Sequence, residues 1–390
     1  MPKVALVANE DWGLYNYRRP LARALKEHGC EVLLICPPGR YSLKLSDLGY
    51  RVIDWNLRRG SVNAARELRA VAQLAGIYRR ENPDAVHHFA LKPILYGSMA
   101  ALIARVPAVI NTFTGLGFAF FDRRSGRRLL GILRPWLRFL LRRRNSTTLF
   151  HTAADKNLFF QLGLIDRRRS GVIPGSGVDT RTFYPAPTAV MRDPVVLMAA
   201  RLLYDKGIGE FVEAARILRK QGLRARFWVA GSLDPENPSC VPGRVLEQWR
   251  SEQIVEFLGH REDMPELLRQ ADIAVLPSYS EGVPRFLLEA AATGLPIVAS
   301  DIDGCRTVAR KNNAFLVPPR DSNNLAQAIA RLVQDPELRM RMGLAAREIA
   351  SIELSEERIV EKNLGVYAQY RSVQIYRARG GIGTTSKNPT

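Results

Sequence analysis

Two acidic residues, Glu281 and Glu289, flank the start of a predicted helix in the apolar stretch SEGVPRFLLEAAATG at 280–294. A proline suits the first helical turn, because its missing N–H costs no hydrogen bond there, and Gly294 followed by Pro296 predicts the helix end. Glu281 is therefore expected in the loop before the helix and Glu289 inside it. The free N–H groups of a helix start attract anions and hydroxyl oxygens. The spacing fits a ligand site, although a loop acid beside a partly exposed helical glutamate is an equally simple interpretation.

Two cations follow an earlier strand in the same half of the chain. Arg201 and Lys206 come directly after the apolar run VVLMAA, where a helix is predicted to start. A helix N-terminus prefers anions, so the helix dipole gives cations no reason to be there. They fit this position if a diphosphate binds between strand and helix. Open α/β sheets bind ligands outside the carboxyl ends of their strands, and other predicted strand ends carry Gly231, Gly259 and Asp301.

Short β-branched runs alternate with longer helical patterns along the chain, which predicts parallel sheets with helices on both faces. The runs are KVALVA, EVLLIC, YRVIDW, DAVHHF, AVINTF and TTLFHT in the first half and PVVLMAA, RARFWVAG, QIVEFLG, DIAVLPS and LPIVAS in the second. Three prolines interrupt the pattern at 182–196. We expect two Rossmann-like domains, 1–186 and 187–352, then a helix at 353–376 that crosses back to the first domain and a flexible tail at 377–390.

The formal net charge of +19 is the unusual feature of the composition. A surplus of this size suits an anionic partner such as nucleic acid, an acidic membrane surface or a phosphorylated substrate. The four cysteines form no CxxC or Cys/His pattern, which argues against a disulfide framework or a zinc site. There is no G-x-G-x-x-G motif, so a dinucleotide cofactor is not expected. We expect a cytoplasmic protein, because no signal-peptide pattern and no run of about 18 apolar residues occurs.

The second half of the chain resembles the C-terminal domain of retaining glycosyltransferases of the GT-B fold, glycosyltransferase family 4. The segments that carry this resemblance are VIPGSGVDTRTFYP at 172–185, AARLLYDKGI at 199–208, and FLGHREDMPELLRQADIAVLPSYSEGVPRFLLEAAATGLPIVASDIDG at 257–304. The most specific element is a glutamate followed, after seven residues, by a second glutamate. The resemblance implies an α/β architecture of two Rossmann-like domains that face each other across a cleft.

The same resemblance implies roles for the side chains described above. Arg201 and Lys206 would bind the diphosphate of a nucleotide-sugar donor, Glu281 would contact the donor sugar, and Glu289 would hold the ribose hydroxyls. Negative charge on the departing diphosphate would be stabilised by cations already in place, and a phosphate oxygen could take the acceptor proton. We therefore expect neither a cofactor nor a metal. The further donor-side candidates are Gly282, Val283, Pro284, Gly231 and Gly259.

The first half narrows the resemblance through WGLYNYRRPLARAL, HHFALKPILYGSMAA and NTFTGLGFAF. These segments are similar to bacterial enzymes that add a sugar to polyprenyl-diphosphate-linked saccharides, including those that transfer N-acetylgalactosamine in N-glycosylation. The resemblance implies a UDP-linked hexose or HexNAc donor and a role in surface glycan or glycoprotein glycan assembly. WGLYN replaces the glycine pair of many family members after the first strand, and TGLG stands where many relatives have a histidine and glycine. The acceptor-side candidates are Asn16, His88, Lys92, Thr114 and Gly115.

Two of these candidates have simpler interpretations. His88 could be a strand-end histidine whose ring is satisfied by a backbone carbonyl, and Lys92 a solvated loop lysine rather than a partner for an acceptor phosphate. Asp301 and Asp303 resemble the metal motif of the other large glycosyltransferase fold. That fold has a single domain, so a loop acid pair after a strand is the preferred interpretation.

A basic amphipathic segment, RRSGRRLLGILRPWLRFLLRRRN, occupies 123–145. Apolar residues including Trp136 repeat at helical spacing, arginines line another stripe, and Pro135 is expected to bend or divide the helix. An enzyme with a lipid-diphosphate acceptor must reach the membrane, so we predict peripheral binding at the inner face. The predicted contacts are Arg134, Arg138, Arg142, Arg143 and Arg144. The simpler interpretation is an apolar stripe that packs on the sheet beneath solvated arginines.

Two other functions remain open on the sequence alone. A GT-B epimerase acting on a nucleotide sugar would share the fold and the diphosphate site. A basic protein that binds nucleic acid or an anionic surface would explain the charge, but no RNA- or DNA-reading motif accompanies it, so no nucleic-acid partner is expected.

Overall fold

The computed structural model describes residues 1–58, 63–115, 124–186 and 192–373. The tail predicted at 377–390 lies outside these residues. The chain divides into two compact units, one formed by Met1–Ile110 with Lys362–Thr390 and the other by Asn111–Glu361. The expected domain boundary at 186/187 falls between the last strand of one sheet and the first strand of the next.

Two parallel sheets form the framework of the described residues. The strands are β1 Lys3–Val7, β2 Glu31–Cys36, β3 Arg51–Asp54, β4 Ala85–Phe89, β5 Ala108–Phe113, β6 Ser146–Phe150, β7 Ser170–Val172, β8 Val195–Ala199, β9 Arg226–Ala230, β10 Glu256–Gly259, β11 Ile273–Leu276, β12 Ile297–Ser300 and β13 Ala314–Val317. The strand order is β3-β2-β1-β4-β5-β6-β7 in the first sheet and β10-β9-β8-β11-β12-β13 in the second. The order in which successive strands are added reverses once in each sheet, between β1 and β4 in the first sheet and between β8 and β11 in the second. Ligands of open α/β sheets bind outside the strand ends at such a reversal.

The helices connect successive strands, as parallel pairing requires. They are α1 Asp11–Gly13, α2 Arg19–Glu27, α3 Arg40–Asp47, α4 Ala64–Glu81, α5 Leu91–Ala104, α6 Arg124–Leu141, α7 Ala153–Gln161, α8 Ile208–Lys220, α9 Gly243–Ser251, α10 Met264–Gln270, α11 Arg285–Ala292, α12 Asp303–Arg306, α13 Ser322–Gln334, α14 Pro336–Ile352 and α15 Glu356–Tyr367. A π-helix, Leu14–Arg18, leads into α2.

The second sheet is buried on both faces, which explains why its strands read as continuous apolar runs. Leu197 and Ala274 face a core that α11 completes with Leu287. Val196 and Val275 face the opposite core, which α8 and α13 cover. Burial of one large apolar side chain contributes about 1.5–3 kcal/mol, so these two cores fix the strand ends that carry the charged residues.

The last described segment packs in the first unit. The buried Tyr367 hydroxyl lies 2.7 Å from Nδ1 of His87, a residue of β4. Tyr370 donates to the Val109 carbonyl at 3.3 Å, and Ser372 donates to the Asp84 carbonyl at 3.2 Å. Burial lowers the pKa of His87 well below its usual value, so the ring stays neutral.

Two sequence expectations differ from the structure, and a third is narrowed by it. The final helix is α15, Glu356–Tyr367, rather than the longer span expected at 353–376, because successive turns follow the buried Tyr367. Helix α6 runs through Pro135 without dividing, so of the two expected effects of this proline the bend stays a prediction. The apolar runs in the sequence did not predict β7 and β13. These two strands, Ser170–Val172 and Ala314–Val317, are only 3 and 4 residues long.

Candidate active site

The turn after β8 is fastened to the turn after β9. Ala200 donates to the Ala230 carbonyl and Leu202 to the Ser232 carbonyl, both at 3.0 Å, while Gly231 donates to the Gly259 carbonyl at 2.7 Å. Gly231 has φ +154°, and a Cβ there would collide with the Ala200 carbonyl. Only glycine fits this close approach. The predicted residues Arg201, Gly231 and Gly259 therefore come together at adjacent strand ends.

Lys206 and Glu281 form an ion pair, with Nζ 2.6 Å from Oε1. Their side chains are 19% and 13% exposed. The turn that carries Lys206 is tied to the loop before α11, because Tyr279 donates to the Asp205 carbonyl at 2.9 Å. Gly207, with φ +75°, packs against the Pro277 carbonyl so closely that a side chain would collide. Two segments far apart in sequence thus hold one cation and one carboxylate in register.

Glu289 lies in α11 and forms an i,i+4 ion pair with Arg285, whose Nε is 2.7 Å from Glu289 Oε1. Arg285 also donates to the Gly177 carbonyl at 3.1 Å. Burial raises the pKa of Glu289, and the Arg285 guanidinium opposes that rise. Sequence reasoning missed Arg285, although its i,i+4 spacing from Glu289 was a visible signal. We call Lys206, Glu281, Arg285 and Glu289 the strand-end cluster.

The turn at Gly282 has no room for a side chain. A Cβ at this position would collide with the Thr114 carbonyl, and one at Gly304 would collide with the carbonyls of Glu281 and Gly282. Gly115 has φ +137°, and a Cβ there would lie 3.3 Å from Gly282 Cα. The structure thus brings Thr114 and Gly115 against the loop of Glu281, with Val283 and Pro284 next in that loop.

The other charged residues at the strand ends are also paired. Arg201 Nη1 lies 2.5 Å from Asp234 Oδ2. Arg306 binds both acids of the loop after β12, with Nε 2.7 Å from Asp301 Oδ1 and Nη1 3.0 Å from Asp303 Oδ1. This guanidinium holds the pKa of Asp301 below its usual value. Within the described residues, no group of three or more His, Cys, Asp or Glu side chains is arranged to hold a metal ion.

The acceptor-side candidates of the first unit each contact a different residue. Asn16 is half-buried in the π-helix and donates to the Trp12 carbonyl at 3.0 Å. His88 is fully buried, with Nε2 2.9 Å from the Tyr78 hydroxyl, because both faces of β4 are covered. The expected sugar contact from His88 is therefore not available in this structure. Lys92 Nζ is 3.2 Å from Glu67 Oε1, so it is an ion-paired lysine rather than a solvated one.

Helix α6 presents both aromatic rings and arginines to solvent. Leu137 and Leu140 are buried, whereas Trp136 and Phe139 are 57% and 51% exposed. Trp136 was expected on the apolar stripe, but it points outward because the buried stripe passes through Leu137 and Leu140 instead. Of the five predicted arginine contacts, Arg134, Arg138, Arg142 and Arg144 are exposed and Arg143 is half-buried, with its guanidinium 5.7 Å from the Phe139 ring centroid. Among the described residues, no helix is long and apolar enough to cross a membrane.

Comparison with known proteins identifies the family. A family described as "Glycosyl transferases group 1" matches residues 193–335, and one described as "Glycosyl transferase 4-like" matches residues 3–152. The chain is 30% identical over 378 residues to the N,N'-diacetylbacillosaminyl-diphospho-undecaprenol alpha-1,3-N-acetylgalactosaminyltransferase of Campylobacter jejuni, over 94% of this chain and 98% of that protein. The chain belongs to this glycosyltransferase family. The predicted family and the predicted glycosyltransferase activity are confirmed.

A further relative and a solved structure bear on the activity and the fold of this glycosyltransferase. It is 27% identical over 291 residues to an Escherichia coli UDP-Gal:alpha-D-GlcNAc-diphosphoundecaprenol alpha-1,3-galactosyltransferase, over 71% of this chain and 73% of that enzyme. Anabaena Alr3699/HepE, solved in complex with UDP and glucose, has a TM-score of 0.77 and 20% identity, over 95% of this chain and 100% of that one. The predicted GT-B fold is therefore confirmed, and the epimerase alternative has no support.

Proposed function

We propose that this glycosyltransferase moves a hexose or N-acetylhexosamine from a UDP-sugar to a polyprenyl-diphosphate-linked saccharide, with retention of the anomeric configuration. The reaction would serve bacterial surface glycan or glycoprotein glycan assembly. The observation that carries the donor half of the proposal is the ion pair of Lys206 and Glu281 at the strand-order reversal of the second sheet. The acceptor half is supported by the activities that name the Campylobacter and Escherichia coli relatives.

Lys206 and Glu281 suit two different parts of the donor. An ammonium group has three donors, so Lys206 can keep its bond to Glu281 while donating to a phosphate oxygen. Glu281 has acceptor sites left for sugar hydroxyls. Arg201 would add a second cation. Its guanidinium would either leave Asp234 or bind the half-exposed Asp234 carboxylate and the diphosphate together. Positive charge would thus be in place before the diphosphate departs.

The chemical step balances with no protein base. The bond between the sugar C1 and the diphosphate oxygen breaks as an oxocarbenium-like state forms. The acceptor hydroxyl then attacks from the face that the diphosphate leaves, and its proton passes to a diphosphate oxygen. The products are UDP and the extended lipid-linked saccharide, and no metal is required because Lys206 and Arg201 supply the positive charge.

Glu289 would hold the nucleoside by accepting from both ribose hydroxyls. A carboxylate has about four lone-pair sites, so the bond from Arg285 leaves room for these two donors. The Arg285 guanidinium opposes the rise in the Glu289 pKa that burial causes and so favours the charged carboxylate, whose hydrogen bonds are roughly twice as strong as those of a neutral acceptor.

The enzyme would work at the cytoplasmic face of the membrane as a peripheral protein. Helix α6 supports this placement, because Trp136 and Phe139 are exposed beside arginines. Aromatic rings partition to the membrane interface, and each arginine near acidic head groups contributes about 1 kcal/mol, which salt screens. This use of the charge does not involve nucleic acid.

A donor screen tests the proposal. UDP release is followed across several UDP-sugars with a polyprenyl-diphosphate saccharide, with and without EDTA. We expect UDP release that depends on the acceptor, occurs with one or a few donors and is unchanged by EDTA. The new glycosidic bond should have the same anomeric configuration as the sugar in the donor. Interconversion of free UDP-sugars without transfer would overturn the proposal. Loss of transfer in EDTA, restored by magnesium or manganese, would overturn metal independence and point to Asp301 and Asp303 as ligands.

A further inference from the structure

A cavity of about 680 Å³ lies in the first unit beside the carboxyl ends of β2 and β3. Pro37 and Pro38, which follow β2, form part of its wall, and Trp55 and Leu57, which follow β3, form another part. The opposite side is the start of α4. The cavity therefore occupies the edge of the sheet at which α/β proteins bind ligands.

Hydrogen bonds between the strand end and α4 hold the shape of this cavity. The buried Trp55 donates from Nε1 to the Ala70 carbonyl at 2.9 Å. Gln73 accepts from the Asn56 N–H at 2.9 Å and donates to the Asp54 carbonyl at 3.2 Å. A wall that its own hydrogen bonds already hold in place loses little conformational entropy when a ligand binds.

Three arginines, Arg58, Arg66 and Arg69, line the cavity. Within the described residues, none of these three guanidinium groups forms an ion pair. The carboxylate in the lining, Glu67, lies 3.2 Å from the Lys92 ammonium, which offsets its charge. The cavity thus has an excess of positive charge beside apolar side chains. We call Arg58, Arg66 and Arg69 with this space the arginine cavity.

We propose that the arginine cavity binds the diphosphate of the lipid-linked acceptor, with the first carbons of the prenyl chain against its apolar wall. Guanidinium groups pair with phosphate oxygens through two parallel hydrogen bonds, which gives arginine an advantage over lysine at such a site. Pro37 and Pro38 offer the adjoining prenyl carbons an apolar surface that nucleotide phosphates do not need. This assignment of the acceptor rests on the proposed function, whereas diphosphate binding by the cavity does not.

The direct test is calorimetric binding of inorganic pyrophosphate and of geranyl diphosphate to the full chain, with saturating UDP to occupy the strand ends of the second sheet. The test variant replaces all three arginines of the cavity by Gln, and the control variant carries Arg23→Gln, Arg79→Gln and Arg224→Gln, which change three exposed arginines elsewhere. We expect binding of both probes to weaken at least about tenfold in the test variant, tighter binding of geranyl diphosphate than pyrophosphate to the parent, and no change in the control.

The kinetic test uses a water-soluble short-chain prenyl-diphosphate saccharide. The test variant should raise the acceptor KM at least about tenfold while the KM for the UDP-sugar stays unchanged. The single variants Arg66→Gln and Arg69→Gln, with thermal unfolding midpoints measured alongside, guard against a folding defect, and each should raise the acceptor KM by less than the triple change.

Three results would overturn the inference. The first is parental probe binding by the triple variant. The second is an unchanged acceptor KM. The third is loss of sedimentation with vesicles of acidic phospholipid while pyrophosphate binding and acceptor KM remain parental, which would assign the cavity to lipid head groups. If the parent transfers to no prenyl-diphosphate saccharide, the proposed function fails, but calorimetry still decides whether the cavity binds diphosphate.

Discussion

The strand-end cluster of the second sheet and the arginine cavity of the first unit both lie at carboxyl ends of strands, but their cations differ in whether a carboxylate pairs with them. In the strand-end cluster each cation is paired with a carboxylate, Lys206 with Glu281 and Arg285 with Glu289. In the arginine cavity the carboxylate that is present is paired with Lys92, and the three arginines are left to solvent among the described residues.

The two regions therefore suit different kinds of ligand. A cluster of cations and carboxylates can bind a molecule that offers both phosphate oxygens and sugar hydroxyls. A cavity with unopposed guanidinium groups suits a ligand that is anionic where it touches them. The energetic consequences also differ, because removal of one member of a buried pair leaves an uncompensated charge, while exposed arginines are screened by salt.

Breaking the Lys206–Glu281 pair should have the largest effect. We expect Lys206→Ala and Glu281→Ala each to lower kcat about a hundredfold or more, because loss of one preorganised electrostatic contact costs about 3 kcal/mol of transition-state stabilisation. The measurement is steady-state transfer with the thermal unfolding midpoint as a check on folding. Lys220→Ala, at the exposed end of α8, is the matched control and should behave as the parent. Parental turnover by a folded Lys206→Ala protein would remove the diphosphate role.

The Arg285–Glu289 pair should affect donor binding more than turnover. Glu289→Gln keeps one acceptor but loses the charge, so the donor KM should rise about tenfold with a smaller change in kcat. Burial already raises the Glu289 pKa, and removal of the opposing guanidinium should raise it further. In Arg285→Gln, donor affinity should therefore begin to fall at a higher pH than in the parent as the solution is acidified.

Two variants test whether the Glu289 carboxylate causes this pH dependence of donor affinity. Arg285→Lys restores a cation and should shift the pH dependence of donor affinity back toward that of the parent. Glu289→Gln has no carboxylate to protonate at this position, so its donor affinity should not show this fall on acidification. Arg250→Gln, which breaks an exposed i,i+3 pair with Glu247, is the control. A donor KM that is unchanged in Glu289→Gln would make the pair a structural contact only.

The smallest effect on catalysis is expected at helix α6. Replacement of Arg134, Arg138, Arg142, Arg143 and Arg144 by Gln should abolish salt-sensitive sedimentation with acidic liposomes and leave transfer to a soluble acceptor largely intact. A control with the same charge change carries Gln at five exposed positions of the second unit. These control positions are Arg219, Arg224, Arg244, Arg341 and Arg358. Equal sedimentation of the α6 variant and the parent would place the membrane contact elsewhere.

The sequence predicted the framework well, because a strand buried on both faces must be apolar and a parallel sheet must have intervening helices. Predicted strands such as EVLLIC and AVINTF coincide with β2 and β5. The two missed strands, β7 and β13, are too short to show a pattern. Gly282 was predicted to lie close to a ligand, but the sequence could not show that its nearest obstacle is the Thr114 carbonyl.

The partners of charged side chains were less predictable, since they depend on which loops meet. Nothing in the sequence connects Arg201 with Asp234 or Lys92 with Glu67. His88 was a candidate sugar contact because it stands near a predicted strand end, yet its side chain is fully buried, which agrees with the simpler interpretation of a satisfied histidine. The i,i+4 spacing of Arg285 and Glu289 is the one pairing in the strand-end cluster that sequence alone could have supplied.

The docking of the chain's last described residues on its beginning has a consequence for synthesis. The second unit, Asn111–Glu361, is inserted within the first, and Tyr367 reaches its partner His87 only after that unit has emerged. Domains generally fold in the order in which the ribosome releases them. Here the unit that begins first is completed last, because the 251 residues of the second unit are synthesised between His87 in β4 and its partner Tyr367. A nascent chain of this protein therefore carries an unfinished first unit until residues beyond Glu361 have been synthesised.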